Sequence, residues 1–428
     1  LDLPDTGRTA MRALAMPAAA QPPRARPATP RASAGAGGAP RCTSAAQSGI
    51  HRAGCPRGIL PTRLLITAAR RALMRDSRGL GSCAAQAAER PVSAVPPPLG
   101  GEEAGGGGDK DLDCIALGNI CVDIITKVDE LPDPDVEFRR QYLAELSASP
   151  PPESAWEVGG NANFAIAASR IGLRSAILGH AGEDIYGSFT ERVLAAEGVS
   201  VAHMAPAERE AFSTLLCFVL VRRNTSSHAF CSRYDFGPFP LLPRGVRPRA
   251  EDVRRAKAIF VNGFTFDELD PEVVADTAAA AKAGGGVVVF DAGPRAWTLS
   301  SPERRPALDG ILDKSDVVLA TAEEAEAMTG VSDPEASGRE LLAMAPHARY
   351  AVVKLGPEGC VAAVRDGAGV PGAAGGGLVY QRGFTVDVAD TVGCGDSFAS
   401  AVVMGLTQGL ELPPTLALAC GVGAATAT

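Results

Sequence analysis

The sequence predicts an α/β protein: a three-layer αβα sandwich around a mostly parallel central sheet, with a small inserted β lid. Three observations predict it. From residue 256 onward, short runs rich in Val and Ile alternate with helical segments. Repeated strand–helix–strand units of this kind build a parallel sheet covered by helices on both faces. Between residues 212 and 231, two apolar runs flank a polar turn and interrupt that alternation, which is a hairpin signal. Residues 1–108 stand apart in composition, with 14 Arg, no Lys and 6 acidic residues, a net +8 against −16 for the remainder.

The leading segment is rich in Ala, Pro, Gly, Arg and Ser and ends in Gly105–Gly108. It cannot bury enough apolar surface to fold alone, so residues 1–109 are expected to be a disordered leader and residues 110–428 the folded domain. Arg-rich, Ser-containing and acid-poor composition is the signature of an organelle transit peptide. A mis-called start, with the protein in the cytoplasm, is the alternative. The acidic balance of the remainder argues against nucleic-acid binding, and no run of ~20 apolar residues suggests a membrane span. The 10 Cys show no CxxC pair, so reduced thiols are expected rather than a disulfide framework.

In chain order, residues 113–126 (DCIALGNICVDIIT) read as a buried strand interrupted at Gly118-Asn119. Asp123 is the odd member, a carboxylate in an apolar run that must meet donors from the protein or from ligand hydroxyls. A Pro-rich, charged stretch with one short helix, 138–146, follows. Gly159-Gly160-Asn161-Ala162-Asn163 then precedes a helix ending at Gly172, where the glycine pair permits close ligand approach to exposed N–H groups. A strand at 175–179 and a helix from Ile185 to Ala196 come next. Strands are predicted at 258–264, 286–293, 316–321 and 350–356, and helices at 271–283, near 302–313 and at 323–329. Ligands bind such sheets at the C-terminal strand ends, here Asn262, Asp291, Thr321 and Lys354 through Gly356. Gly356 and Gly359 bracket a turn into a further strand or hairpin, CVAAV.

The stretch Asp390–Phe398 (DTVGCGDSF) reads as a glycine turn opening a helix through residue 408. The first turn of a helix carries unpaired N–H groups and roughly half a positive charge. Gly393 and Gly395 let a phosphate approach, and Asp396 beside that pocket is suited to taking a proton from an attacking hydroxyl. An ordinary capped helix is the bland alternative. No GxxxxGK[ST] is present, which excludes a P-loop ATPase, and no strand-linked GxGxxG supports a dehydrogenase.

Together these stretches resemble the pfkB (ribokinase-type) carbohydrate and nucleoside kinase family over about residues 113–428. DTVGCGDSF is similar to the family's D-T-x-G-x-G-D-x-F signature, and GGNAN before AIAASRIGL and Gly182–Gly187 match in order. WEVGGNANFAIAA, FCSR at 230–233 and FDAGPR at 290–295 resemble plant and algal organelle members, which makes a plastid the expected compartment ahead of the mitochondrion. The resemblance implies a ribokinase-like fold and phosphotransfer from ATP, with Mg2+, to a primary hydroxyl of a sugar or nucleoside. Asp396 would be the base and the Gly393, Cys394 and Gly395 amides the anion hole. Asp123, Gly159, Gly160 and Asn163 would hold the substrate, and Thr321, Lys354, Gly356 and Gly359 would border the nucleotide. Glu324 would order Mg2+ through water, and Asp390 would serve a monovalent cation such as K+. Lid segments fall near 126–157 and 212–237, and a homodimer through the lid is expected.

Several positions depart from the family pattern. Thr321 stands where Asn is usual before Glu324, Cys394 replaces a small Ala, and Cys420 sits where Asn often faces adenine. A thiol at a helix N-terminus can have a lowered pKa, but an inert small side chain is the favoured reading of Cys394. The chain stops at Thr428, before the last turns that the resemblance implies. A catalytically silent structural protein of an organelle complex is the competing reading, against which the intact Asp396 and glycine pair argue.

Overall fold

The apolar run 113–126 folds as two strands rather than one. In the computed structural model, β1 (Leu112–Leu117) and β2 (Ile120–Val128) join different sheets. Gly118 and Asn119 between them both have left-handed φ, 68° and 55°. Two consecutive residues of that kind redirect the chain, so the interruption read from sequence is a sheet switch. The structure describes residues 110–428 except 133–134, 205–212, 224–227, 234–236, 238, 244 and 374. The leader and the tip of the predicted hairpin lie outside the described residues.

The larger sheet has nine strands in the order β13-β12-β11-β10-β9-β8-β1-β4-β5. β4 is Ser175–Gly179, β5 Ser200–His203, β8 Ala256–Asn262, β9 Val287–Asp291, β10 Val317–Thr321 and β11 Tyr350–Lys354. These six and β1 are parallel. β12 (Gly359–Val364) and β13 (Gly377–Arg382) extend the edge antiparallel. The second sheet runs β3-β2-β6-β7, with β3 at Trp156–Gly160, β6 at Leu215–Arg222 and β7 at His228–Ser232. The hairpin read near 212–231 is the antiparallel β6–β7 pair, whereas β6 lies parallel to β2.

Helices form where the capping signals stand. α1 is Val136–Ala148, α2 Asn161–Arg170, α3 Ile185–Ala196, α4 Pro271–Ala283, α5 Arg305–Leu312, α6 Ala322–Thr329, α7 Pro334–Met344, α8 Cys394–Gln408 and α9 Leu412–Thr426. Asp135, Asp184, Asp270 and Asp333 each cap a helix by accepting a first-turn N–H. Along the strands, side chains alternate between two cores. Cys114, Ala116, Ala258 and Phe260 face α2, α8, α9 and the second sheet, while Ile115, Leu117, Ile259 and Val261 face α4 to α7. Phe164 of α2 stacks on Phe260 of β8 with centroids 4.1 Å apart, fixing α2 on the sheet. Among the described residues no helix is long and apolar enough to cross a membrane, and no disulfide joins the cysteines.

Candidate active site

The parallel strands end where the sequence places ligand chemistry. Asn262 and Asp291 are register partners at the ends of β8 and β9, and Thr321 and Lys354 are partners at the ends of β10 and β11. The N-terminus of α8 arrives at the same edge, because the Lys354 ammonium lies 3.9 Å from where a side chain would project from Gly395. Gly393 caps α8 in left-handed conformation (φ 77°). Cys394 N–H turns back to Thr391 O at 3.3 Å. That leaves Gly395 as the first-turn residue presented most openly beside Lys354.

Asp396 stands in that first turn. Its carboxyl is pushed up to about 7, chiefly by burial and then by Asp291; Lys354 pulls the other way, and Asp123 adds a further push. Lys354 donates to Asp291 Oδ2 at 2.6 Å. Burial works against the Lys354 charge, yet Asp291, Glu324 and Asp396 together hold its ammonium above the ordinary range. One ammonium therefore faces three carboxylates. Sequence reasoning named Asp291 only as a strand end; a carboxylate closing the apolar run VVVF was the signal that it belongs here.

Thr321 and Glu324 are brought to this edge through a capping box. The Thr321 hydroxyl accepts Glu324 N–H at 3.2 Å, and Glu324 Oε2 accepts Thr321 N–H at 2.7 Å. A Thr serves this cap as an Asn would, so the departure at 321 leaves α6 properly started. Burial and the nearby Asp291 push the Glu324 carboxyl upward. Gly356 and Gly359 shape the β11–β12 connection, and a side chain at Gly359 would strike Gln381 O at 2.0 Å. The β12–β13 pairing thus accounts for Gly359 without a ligand.

On the second sheet, Asp123 lies against Gly159 so closely that a Cβ there would stand 2.3 Å from Asp123 Oδ2. Cys121 Sγ lies 3.5 Å from Asp123 Oδ1. Burial pushes the Asp123 carboxyl up to about 6, opposed by hydrogen bonds from Cys121 and Cys217, with Glu157 adding to the push. These two thiols were not singled out by sequence reasoning. The β2–β6 register that sets Cys217 opposite Asp123 is a long-range pairing with no local signal. Asn163, the third residue of α2, is half-buried and donates no hydrogen bond among the described residues, so its amide is open to a ligand.

The β1–β2 turn is held by a residue the sequence did not mark. Fully buried Glu268 accepts the Asn119 N–H, and burial pushes its carboxyl up to about 7. Asn119 O then accepts Asn161 N–H at 2.8 Å, and Asn161 Nδ2 donates to Leu117 O at 2.7 Å. This chain of bonds ties the glycine pair of β3 to the end of β1.

Asp390 is exposed, with Oδ1 accepting Val392 N–H at 3.0 Å. The Cys394 thiol is pushed up to about 11 by burial, Asp390 and Asp396, so it is neutral and inert and the helix terminus does not activate it. Cys420 packs into the core with its sulfur 3.7 Å from that of Cys360. Among the described residues no group of three His, Cys, Asp or Glu side chains is placed to hold a metal ion. Glu324 alone is a hard-oxygen carboxylate of the kind that meets Mg2+ through water beside phosphates.

Residues 114–428 match the pfkB family carbohydrate kinase family. A 5-dehydro-2-deoxygluconokinase of Bacillus cereus is 29% identical over 316 residues, spanning 72% of this chain and 87% of that protein. Among solved structures, an E. coli ribokinase II assignment in complex with ATP and Mg2+ aligns with a TM-score of 0.55 at 21% identity, over 73% of this chain and 92% of that one. Adenosine kinase from Sinorhizobium meliloti aligns with a TM-score of 0.56 at 22% identity, over 74% and 93%. These structures share the fold, a ribokinase-like α/β sandwich. The chain belongs to the pfkB family of carbohydrate kinases, phosphotransferases that act on an alcohol group.

Proposed function

We propose that this kinase moves the γ-phosphoryl group of ATP to a primary hydroxyl of a small sugar or sugar acid. The observation that carries the reading is Asp396, a carboxylate held near neutrality in the first turn of α8 beside the Lys354 ammonium. Asp396 takes the proton of the attacking hydroxyl, and a group titrating near 7 is matched to that task. The Gly395 and neighbouring amides receive the phosphoryl oxygens. Asp123, Gly159, Gly160 and Asn163 orient the acceptor so that its hydroxyl meets Asp396. The nucleotide lies along Thr321, Gly356 and Gly359. Glu324 would order Mg2+ through water, and the ion would supply charge neutralisation for the phosphates. The E. coli relative in complex with ATP and Mg2+ supports both cofactors. Asp390 is the site proposed for K+.

The relatives named 5-dehydro-2-deoxygluconokinase favour a sugar acid over a nucleoside as acceptor. β3 and β7 are the outer strands of the second sheet, and the exposed Phe138 and Phe230 support a homodimer formed through it. The Arg-rich, acid-poor leader supports delivery to a plastid.

The test is ADP release from Mg-ATP with 5-dehydro-2-deoxygluconate, ribose, fructose, inositol and adenosine as acceptors. A sugar or sugar acid is expected to stimulate release well above the acceptor-free rate. If none of the five does so, the reading fails and a silent structural role replaces it.

A further inference from the structure

Lys354 is a residue whose contacts exceed what a structural ion pair needs. Its ammonium and Asp291 form a tight pair, 2.6 Å apart, with side chains 12% and 8% exposed. A buried pair of this kind contributes little net stability, because desolvation offsets the attraction. In the middle of the sheet it would be a packing choice. Here it lies at the C-terminal strand ends, where parallel sheets bind ligands. It also lies 3.9 Å from the position a Gly395 side chain would take, over the helix turn proposed to receive the phosphoryl group.

Charge points the same way. Asp291 from β9, Glu324 from α6 and Asp396 from α8 all act on the one ammonium of β11. Asp396 is in turn faced by Asp291, Lys354 and, from the second sheet, Asp123, with Cys394 and Asp390 on its own segment. A carboxylate-rich cleft repels a polyphosphate, and Lys354 is the cation the protein itself places inside it.

We propose that Lys354 is a catalytic residue whose ammonium contacts the phosphoryl group in transit, with Asp291 as the positioning residue that holds it over the first turn of α8. This rests on the ATP:alcohol phosphotransfer above. In the step, the acceptor oxygen forms a bond to the γ-phosphorus, and the bond from that phosphorus to the β,γ-bridging oxygen breaks. The hydroxyl proton passes to Asp396, and ADP leaves with the bridging oxygen. Lys354 keeps its three protons throughout and offsets the charge on the moving group. It also steadies the ionised form of Asp396, whereas Asp291 opposes it.

The experiment compares Lys354→Met, Lys354→Arg, Asp291→Asn and the double variant Asp291→Asn/Lys354→Met, which avoids a buried unpaired carboxylate. Phosphotransfer from Mg-ATP is measured with the acceptor that gives the fastest ADP release in the screen above. Lys354→Met and the double variant are expected to lose about 10²–10³-fold in kcat with acceptor KM within threefold. Lys354→Arg should recover part of the loss. The acid limb of kcat should move to higher pH in Lys354→Met and to lower pH in Asp291→Asn, a split that general damage to the site would not produce. A second readout needs no acceptor: affinity for ADP with and without aluminium fluoride, which mimics the moving phosphoryl. Lys354→Met should keep the ADP affinity and lose the fluoride-dependent gain. A kcat within threefold of wild type, or an unchanged fluoride gain, overturns the proposal. If wild type turns over no acceptor yet Lys354→Met loses the fluoride gain, the lysine assignment stands and the acceptor reading falls.

Discussion

The two sheets bring carboxylates to the cleft under opposite regimes. At the end of the nine-stranded sheet, Asp291, Glu324 and Asp396 gather around an ammonium. On the four-stranded sheet, Asp123 meets two thiols, Glu157 and the backbone at Gly159, and no cation among the described residues. The first arrangement suits groups that change charge during reaction. The second suits neutral hydroxyls, because a carboxylate that keeps only weak S–H donors has acceptor capacity to offer. Burial raises both key acids, Asp396 to about 7 and Asp123 to about 6, but among the described residues only the first has an ammonium to pull against it.

The comparison breaks most sharply at Asp396. Asp396→Asn should lower kcat about 10²–10⁴-fold, with acceptor KM little changed. A loss below tenfold in steady-state phosphotransfer would remove its role as base. The same substitution should raise Tm at pH 8. The folded carboxyl titrates near 7, above its ordinary 3.8, so this group's contribution to stability is full below the ordinary value and is lost as pH rises to about 7. Asn carries no such loss.

Gly159→Ala tests the other sheet. Its Cβ would have to displace the Asp123 carboxylate, so acceptor KM should rise at least about tenfold, matching a cost of roughly 1–3 kcal/mol for overpacking. ADP affinity, measured by calorimetry, should stay within twofold. An equal loss of both would show that the two regions are not separate sites.

A pH series sharpens the contrast further. Since Asp396 must be ionised to accept a proton, kcat should rise about tenfold per pH unit below 7 and level off above it. A flat profile between pH 5.5 and 8 would assign the proton elsewhere. The smallest effect is at the cap: Thr321→Ala should cost about 1 kcal/mol of stability by thermal or urea unfolding, and Thr321→Asn almost nothing. A large kcat loss in Thr321→Asn would give that hydroxyl a role beyond the helix start.

Much of the larger sheet was legible because its signals are local. The apolar run before Asp291, the Pro271 helix start and the glycine turn before Asp396 each sit within one element, and the helix at 271–283 and the strand at 175–179 fall where the pattern puts them. The second sheet was legible only as a hairpin. Its central contact pairs Cys121 with Leu215 and Asp123 with Cys217 in parallel, and no neighbouring residues announce such a pairing. The same holds for Glu268 on Asn119, a buried carboxylate meeting a backbone N–H across the fold. The run 113–126 is legible as a strand interrupted at Gly118-Asn119, but not as two strands of different sheets, because that switch depends on two backbone angles. Lys354 was placed at the nucleotide from its strand-end position; its pairing with Asp291 shows in three dimensions only.

The parallel β2–β6 pair has a consequence for how the chain assembles. Between its two strands the polypeptide runs through α1, β3, α2, β4, α3 and β5, most of which belongs to the larger sheet or its covering layer. Closing so long a loop is entropically unfavourable until the intervening segments are already packed. The substrate-side sheet should therefore form last, after β1, β4 and α2 have docked. Pulse-labelled hydrogen exchange would see β2 and β6 amides protected after those of β1 and β4. A newly made chain would then hold its phosphate-side acids and lysine in place before it can hold an acceptor.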